Sequence, residues 1–158
     1  MSLFFARKSF ALAVVFCLSA GLLFTGCNTE PENENTGSIP VGEWADDYGG
    51  SYTITKTSVK FDSGYGETFN SNIMEAIDFS SDAGVLLVQI TTSSTAGQTG
   101  KFIGVYYKGY TASHVFLANA VDESYTIIVK NTLAEAKDTF TVDNVETHVT
   151  FWGSGYNK

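Results

Sequence analysis

The chain has 158 residues, with 9 Lys and Arg against 17 Asp and Glu, which gives a formal net charge of −8. So acidic a protein is not expected to bind nucleic acid or anionic lipid headgroups through its surface field. Its length and 44% hydrophobic content suit one domain with an apolar core, and its 2 cysteines exclude a disulfide-rich scaffold.

The first 26 residues have the three parts of a secretory signal. The basic pair Arg7-Lys8 is followed by the apolar run Phe10–Phe24, and small residues then precede Cys27. The run is shorter than the ~20 residues that a membrane-spanning helix needs. We therefore expect residues 1–26 to be a signal peptide that is removed.

Residues 22–27, Leu-Leu-Phe-Thr-Gly-Cys, resemble the bacterial lipobox, with Phe24 where that pattern prefers Leu. The resemblance implies a lipoprotein: Cys27 receives a diacylglyceryl group and becomes the first residue after cleavage. Two or three acyl chains, such as palmitate, give stable anchoring. The alternative is an ordinary secretory peptide that is cut near Ala20 or Gly26, with Cys27 incidental.

Cleavage before Cys27 would leave one cysteine, so no disulfide can form within the mature chain. Because Arg7 and Lys8 are removed as well, the net charge would fall from −8 to −10. Asn28 is not the Asp that resembles an inner-membrane retention signal in enteric bacteria, so the outer membrane is the expected location in the cell envelope.

Residues 27–40 are expected to form a lipidated cysteine and a disordered tether. Residues 28–40 contain three Glu, three Asn and both prolines of the chain, and they offer little to bury. The folded part is then one domain, residues 41–158.

Short segments rich in β-branched and aromatic residues, separated by turn-forming residues, dominate this domain. Residues 67–79 are expected to supply one or two strands, with Ile73, Ile77 and Phe79 on one face. The other predicted strands lie around Tyr52–Ile54, Val59–Phe61, Val85–Thr91, Phe102–Lys108, Val115–Ala120, Tyr125–Lys130, Phe140–Val142 and Thr147–Trp152.

One helix is expected late in the chain, where Thr132-Leu133-Ala134-Glu135 forms a capping box and Leu133 and Ala136 would face the core. The whole pattern predicts an all-β, mainly antiparallel fold. It is a small closed or nearly closed meander barrel of about eight strands with one short late helix, because closure removes exposed strand edges.

Gly42-Glu43-Trp44 resembles the Gly-x-Trp that opens lipocalin-like barrels, which implies that Trp44 packs across the closed end. More of the chain is similar to small lipoproteins of spirochaetes, a resemblance that implies the fold and the envelope location. The segments that carry it are Tyr52–Thr55, Gly100–Tyr107, Thr111–Ser113 and Thr132–Lys137.

The aromatic residues are numerous: 12 Phe, 8 Tyr and 2 Trp, some of them in the signal. They either fill the barrel or line an apolar cup, since an eight-stranded barrel is just wide enough for side chains or one small ligand. For the cup, the candidate ligand-binding residues are Trp44, Tyr52, Phe102, Tyr106, Phe116 and Trp152.

Catalytic, metal and cofactor chemistry is not expected. His114 and His148 have neither metal nor triad spacing, and Gly153-Ser154-Gly155 indicates a flexible C-terminal tail rather than a nucleophile turn. The carboxylate pairs are typical of turns, and Asp46-Asp47 is the one pair that merits inspection for an ion.

Three function classes remain open. The expected one is a non-enzymatic, lipid-anchored binding module whose barrel holds a small apolar ligand. The alternative is a surface interaction protein that meets another envelope protein through outward aromatics and the Thr91–Gly100 loop. A hydrolase ranks last, because no nucleophile and base are legible.

Overall fold

The structure is a computed structural model that describes residues 39–149 and 155–158. A 3₁₀ turn, Val142–Asn144, separates two short helices, α1 (Leu133–Thr139) and α2 (Val145–His148). The strands are β1 (Gly42–Ala45), β2 (Ser51–Ile54), β3 (Ser58–Asp62), β4 (Thr68–Ser80), β5 (Ala83–Ser93), β6 (Phe102–Lys108), β7 (His114–Asn119) and β8 (Tyr156–Asn157). No helix among the described residues is both long and apolar enough to cross a membrane.

The eight strands form a closed antiparallel barrel in which each strand pairs with its neighbours in sequence. The last strand closes it, because Asn157 lies opposite both Ala45 of β1 and His114 of β7. The predicted fold class, an all-β meander barrel of eight strands with a short late helix, is confirmed.

Successive side chains of a strand point to opposite faces of the sheet, so the apolar side chains form two separate clusters. On β5, Leu86 and Val88 point into the barrel and belong to an interior cluster, whereas Val85 and Leu87 point outward. The outward residues of β4 to β7 form an outer cluster beneath α1 and α2, with Phe140 at its centre. Both faces of this part of the sheet are therefore shielded from solvent. This explains why the sequence of β5 is a nearly continuous run of apolar residues.

The prediction that Ile73, Ile77 and Phe79 share one face is wrong. A β-bulge interrupts the pairing of β4 with β5 between Ile73 and Glu75. One extra residue reverses the alternation. Ile73 thus packs against the interior cluster, while Ile77 and Phe79 pack against the outer one.

Helix α1 begins where the capping box predicts. The Thr132 hydroxyl accepts a hydrogen bond from the Glu135 amide at 3.2 Å, and the Glu135 carboxylate accepts one from the Asn131 amide at 2.9 Å. Ala136 is fully buried in the outer cluster and Leu133 packs against it, as predicted. An ion pair between Lys137 and Glu75 of β4 also joins α1 to the barrel.

Three predicted strands are wrong. Residues 125–130 make only isolated bridges, Val121 with Ile127 and Phe102 with Lys130. Phe140 ends α1, and Val142 begins the 3₁₀ turn. Residues 147–148 lie in α2, and 150–152 lie outside the described residues. The physical reason for residues 125–130 is that β-branched composition favours extended backbone, but a strand also needs a free edge. β7 already pairs with β6 from Val105 to Lys108, so only the Phe102 end of that edge is left for Lys130.

Described residues at both ends of the domain take part in the fold. Ile39 packs against the interior cluster and the Pro40 carbonyl accepts a hydrogen bond, so the predicted boundary at Val41 lies inside the folded part. The Gly-x-Trp segment forms β1 instead of preceding the first strand. Of the predicted flexible tail, Gly155 leads directly into β8, while residues 153–154 lie outside the description.

The meander places alternate loops at opposite ends of the barrel. The hairpin end carries the loops at residues 46–50, 63–67 and 94–101, and contact between the last two includes the Ser94 amide donating to Thr68. The tether end carries residues 39–41, the turns at 55–57, 81–82 and 109–113, and Lys158. There the Tyr110 amide donates to Asp82, and the Lys158 amide donates to Ser113.

Candidate functional site

Side chains fill the barrel interior, where the predicted apolar cup would hold its ligand. Trp44 is 1% exposed, its indole N–H donates to the Pro40 carbonyl at 2.7 Å, and its ring lies edge-on to Tyr110 at 6.0 Å between centroids. Trp44 thus fills the tether end.

A row of aromatic rings crosses the interior. Tyr52 lies 5.2 Å from Tyr156 and 4.9 Å from Phe61, and Phe61 lies 5.1 Å from Phe69, as measured between ring centroids. Rings at these distances are in packing contact. Burial raises the pKa of Tyr52 well above its ordinary value, so the phenol stays neutral.

The predicted ligand-binding residues do not share one cavity. Only Trp44 and Tyr52 belong to the interior cluster. Phe102 and Tyr106 lie on the opposite face of the sheet, in the outer cluster. Phe116 is half-buried on the outside, 4.8 Å from the His114 ring and beneath the Lys108 ammonium. Trp152 lies outside the described residues.

The polar groups within the fold are mostly paired with each other. The Tyr107 hydroxyl donates to Asp78 at 2.7 Å in the interior, and burial, together with this bond, raises the pKa of that tyrosine. In the outer cluster the Tyr106 hydroxyl lies 3.3 Å from His148 Nδ1. Burial, and secondarily the Lys130 charge, hold the pKa of His148 below its ordinary value. No group of three or more His, Cys, Asp or Glu within the described chain is placed to hold a metal ion.

Asp46, the residue singled out for an ion, serves as a turn cap. Its Oδ1 accepts from the Tyr48 amide at 2.9 Å and from the Gly50 amide at 2.7 Å. Burial, and secondarily the nearby Asp46 charge, raise the pKa of Tyr156. The two backbone donors of its own turn therefore already engage the Oδ1 atom of Asp46.

The same turn presents a large aromatic side chain that sequence reasoning missed. Tyr48 is 63% exposed at the tip of the β1–β2 hairpin, and Tyr65 is 82% exposed at the tip of the β3–β4 hairpin. The available signal was the surroundings of each tyrosine: Tyr48-Gly49-Gly50 and Gly64-Tyr65-Gly66 are turns, where a bulky ring has no sheet face on which to pack.

The two hairpin tips touch. Gly64 has a φ of +75°, and a Cβ placed on it would lie 2.7 Å from the Gly49 carbonyl, so only glycine permits this approach. Side-chain caps hold the second tip as well: Asp62 accepts from the Gly64 amide at 2.8 Å, and Ser63 accepts from the Tyr65 amide at 3.2 Å. We call Tyr48, Tyr65, Asp47 and Glu67, which project from these two joined loops, the tyrosine–carboxylate surface.

A wide, open depression of about 650 Å³ lies along β1, β2 and the C-terminal strand. Two of the predicted ligand-binding residues, Trp44 and Tyr52, belong to its lining. The other lining residues are Glu43, Ala45, Ser51, Thr53, Asn157 and Lys158. The depression differs from the predicted cup because it is open to solvent instead of enclosed by the barrel. No protein family, curated protein or solved structure matches this chain.

Proposed function

We propose that this protein is a lipid-anchored, non-catalytic interaction module of the cell envelope, whose filled barrel presents the tyrosine–carboxylate surface to a protein partner. The observation that carries the proposal is the high exposure of Tyr48 and Tyr65 on two loops that touch. Tyrosine is enriched among the residues that dominate binding energy at interfaces. Loops that are already fixed lose little entropy on binding.

The packed interior supports an interaction role over a ligand cup. Trp44, Tyr52 and Phe69 are each almost fully buried by other side chains of the barrel. Opening space for a ligand would break the ring contacts of Tyr52 and Phe69 with Phe61, and that of Trp44 with Tyr110. A close-packed barrel is instead a rigid support, which keeps the two tyrosines in a fixed relation to each other.

The position of the chain's first described residues supports the same role. Ile39 lies at the tether end, on the opposite side of the barrel from Tyr48 and Tyr65. If Cys27 is lipidated, a segment that reaches about 40 Å when fully extended joins the membrane to that end. The hairpin end would then be left open to a partner.

Metabolic labelling tests the anchor. We expect the full chain to incorporate labelled palmitate and to sediment with membranes in its own cells. The Cys27→Ala variant should lose the label, because the acyl chains are attached through this cysteine. Label retained by that variant would overturn the lipoprotein assignment.

Site-specific photo-crosslinking in those cells tests the interaction surface. We expect a crosslinker in place of Tyr65 to give one discrete protein adduct, which the Tyr48→Ala change should remove. A crosslinker in place of Lys56, which is exposed on a tether-end turn, is the matched control and should give no such adduct. No adduct from Tyr65, or the same adduct from Lys56, would contradict the proposed surface.

A further inference from the structure

We infer that the partner binds the tyrosine–carboxylate surface through a cationic segment rich in Arg or Lys. The inference rests on the proposed function and names the chemistry of its partner. It is carried by the exposed rings of Tyr48 and Tyr65 together with the charges that surround them.

The charges at the two tips have one sign. Residues 46–50 and 62–67 contain Asp46, Asp47, Asp62 and Glu67 and no Lys or Arg. None of these carboxylates forms an ion pair with a lysine of the described residues. Asp46 and Asp62 are engaged in capping their turns, and partly exposed Glu67 accepts a hydrogen bond from the Thr95 hydroxyl at 3.5 Å. Exposed Asp47 and the remaining acceptor positions of Glu67 face solvent and are open to a partner.

The excess of negative charge is specific to the two tips. The loop after β7 adds Asp122 and Glu123, which Lys101 and Lys130 balance in number. At or next to the tether end, Lys56, Lys108 and Lys158 stand against Asp78 and Asp82. The exposed rings therefore lie on the part of the barrel ends where carboxylates have no lysine among them.

Aromatic rings beside carboxylates complement a guanidinium or ammonium group. A cation stacks on the face of a tyrosine, and a neighbouring carboxylate accepts its hydrogen bonds. Arginine satisfies both contacts at once because its planar group is weakly hydrated and presents several donors. A neutral sugar would also stack on the rings, but it would gain nothing from the acidic surroundings.

A peptide titration tests this chemistry. The probe is a decapeptide of alternating Arg and Gly, added to the ¹⁵N-labelled protein and followed by NMR. We expect shifts confined to the amides of residues 46–50 and 62–67, and affinity that falls with added salt. A peptide with Glu in place of Arg, and a neutral oligosaccharide, should produce no shifts there.

Variants separate the rings from the general charge. Tyr48→Ala with Tyr65→Ala should weaken Arg-peptide binding about tenfold. The pair Asp47→Asn and Glu67→Gln should weaken it about threefold. Tyr125→Ala is the matched control, because that tyrosine is 73% exposed on a separate loop, and it should leave binding unchanged. Three results would overturn the inference. The double tyrosine variant could bind the Arg peptide as tightly as the wild-type protein, or Tyr125→Ala could weaken binding equally. The protein could also bind the oligosaccharide more tightly than the Arg peptide.

The crosslinked adduct shows whether a negative result contradicts only the cationic partner or also the proposed interaction surface. We expect the partner segment joined at Tyr65 to be dense in Arg or Lys by mass spectrometry, and the adduct to weaken in the Asp47→Asn, Glu67→Gln variant. A robust adduct with a segment lacking cations would leave the interaction surface standing and overturn the cationic partner. No adduct at all would overturn both.

Discussion

The two apolar clusters of this protein are built from the same strands but closed in different ways. The interior cluster is surrounded by a continuous ring of hydrogen-bonded strands, and Pro40 and Tyr110 pack on Trp44 at the tether end. The outer cluster is covered from one side only, by α1, α2 and the segment that joins them. From this difference we expect the helical segment to detach locally and expose Tyr106 and Phe140 while the barrel stays closed. Such local opening breaks fewer contacts than opening of the barrel.

The largest expected effect is the loss of Trp44. We predict that Trp44→Ala lowers the free energy of unfolding by about 3–5 kcal/mol, because the cavity it leaves cannot collapse within a closed barrel. Trp44→Phe should lower the free energy of unfolding by less, because it keeps most of the side-chain volume. Its remaining cost comes from the lost hydrogen bond to the Pro40 carbonyl. Urea unfolding followed by circular dichroism measures both. A cost below about 1 kcal/mol for Trp44→Ala would mean that the interior is not close-packed.

Overfilling the outer cluster should cost less than emptying the interior. A Cβ on Gly104 of β6 would lie 2.7 Å from the Phe140 ring. We predict that Gly104→Ala destabilises by about 1–3 kcal/mol, the usual cost of overpacking. Phe140→Leu should relieve part of that cost in the double variant, and Phe140→Leu alone is the control. Strictly additive effects in urea unfolding would contradict direct contact between the two residues.

The helix cap gives a smaller and more local effect. Thr132→Ala removes the side chain that caps α1 and should cost about 1 kcal/mol. We expect the amides of residues 135–140 to exchange with deuterium faster, while those of β6 keep their protection. Thr132→Ser, which retains the hydroxyl, is the matched control. Equal acceleration in β6 would show that cover and barrel open as one unit.

The interior was more predictable than its outer cover, for reasons that particular residues show. Alternation within β2 and β3, and the apolar runs of β5 and β6, identify strands because these signals lie within each segment's own sequence. The bulge after Ile73 leaves no mark in composition, so Ile77 was assigned to the wrong face. Residues 126–129, Thr-Ile-Ile-Val, read as a strand because only the fold decides which strand edges remain free.

The candidate site was hidden for a related reason. Sequence reasoning identified the turns around Asp46 and Gly64 correctly, but it weighed the carboxylates rather than the tyrosines beside them. Contact between the two tips depends on Gly49 meeting Gly64. These residues lie on hairpins separated by two strands. The approach of Gly49 to Gly64 depends on the three-dimensional arrangement of the barrel strands. The sequence of neither turn predicts it.

The smallest expected effect is a pH dependence that belongs to the outer cluster alone. Burial, and then Lys130, lower the pKa of His148 from its ordinary 6.5. The unfolded chain therefore binds the proton more readily, so this residue lowers stability as the pH falls below about 6.5 and adds no slope above it. His148→Gln should flatten the pH profile of unfolding below about pH 6.5. Above that pH the variant and the wild-type protein should have the same slope, which is the control. A wild-type slope below that pH in His148→Gln would assign that pH dependence to other groups and leave the outer cover uncoupled from protonation.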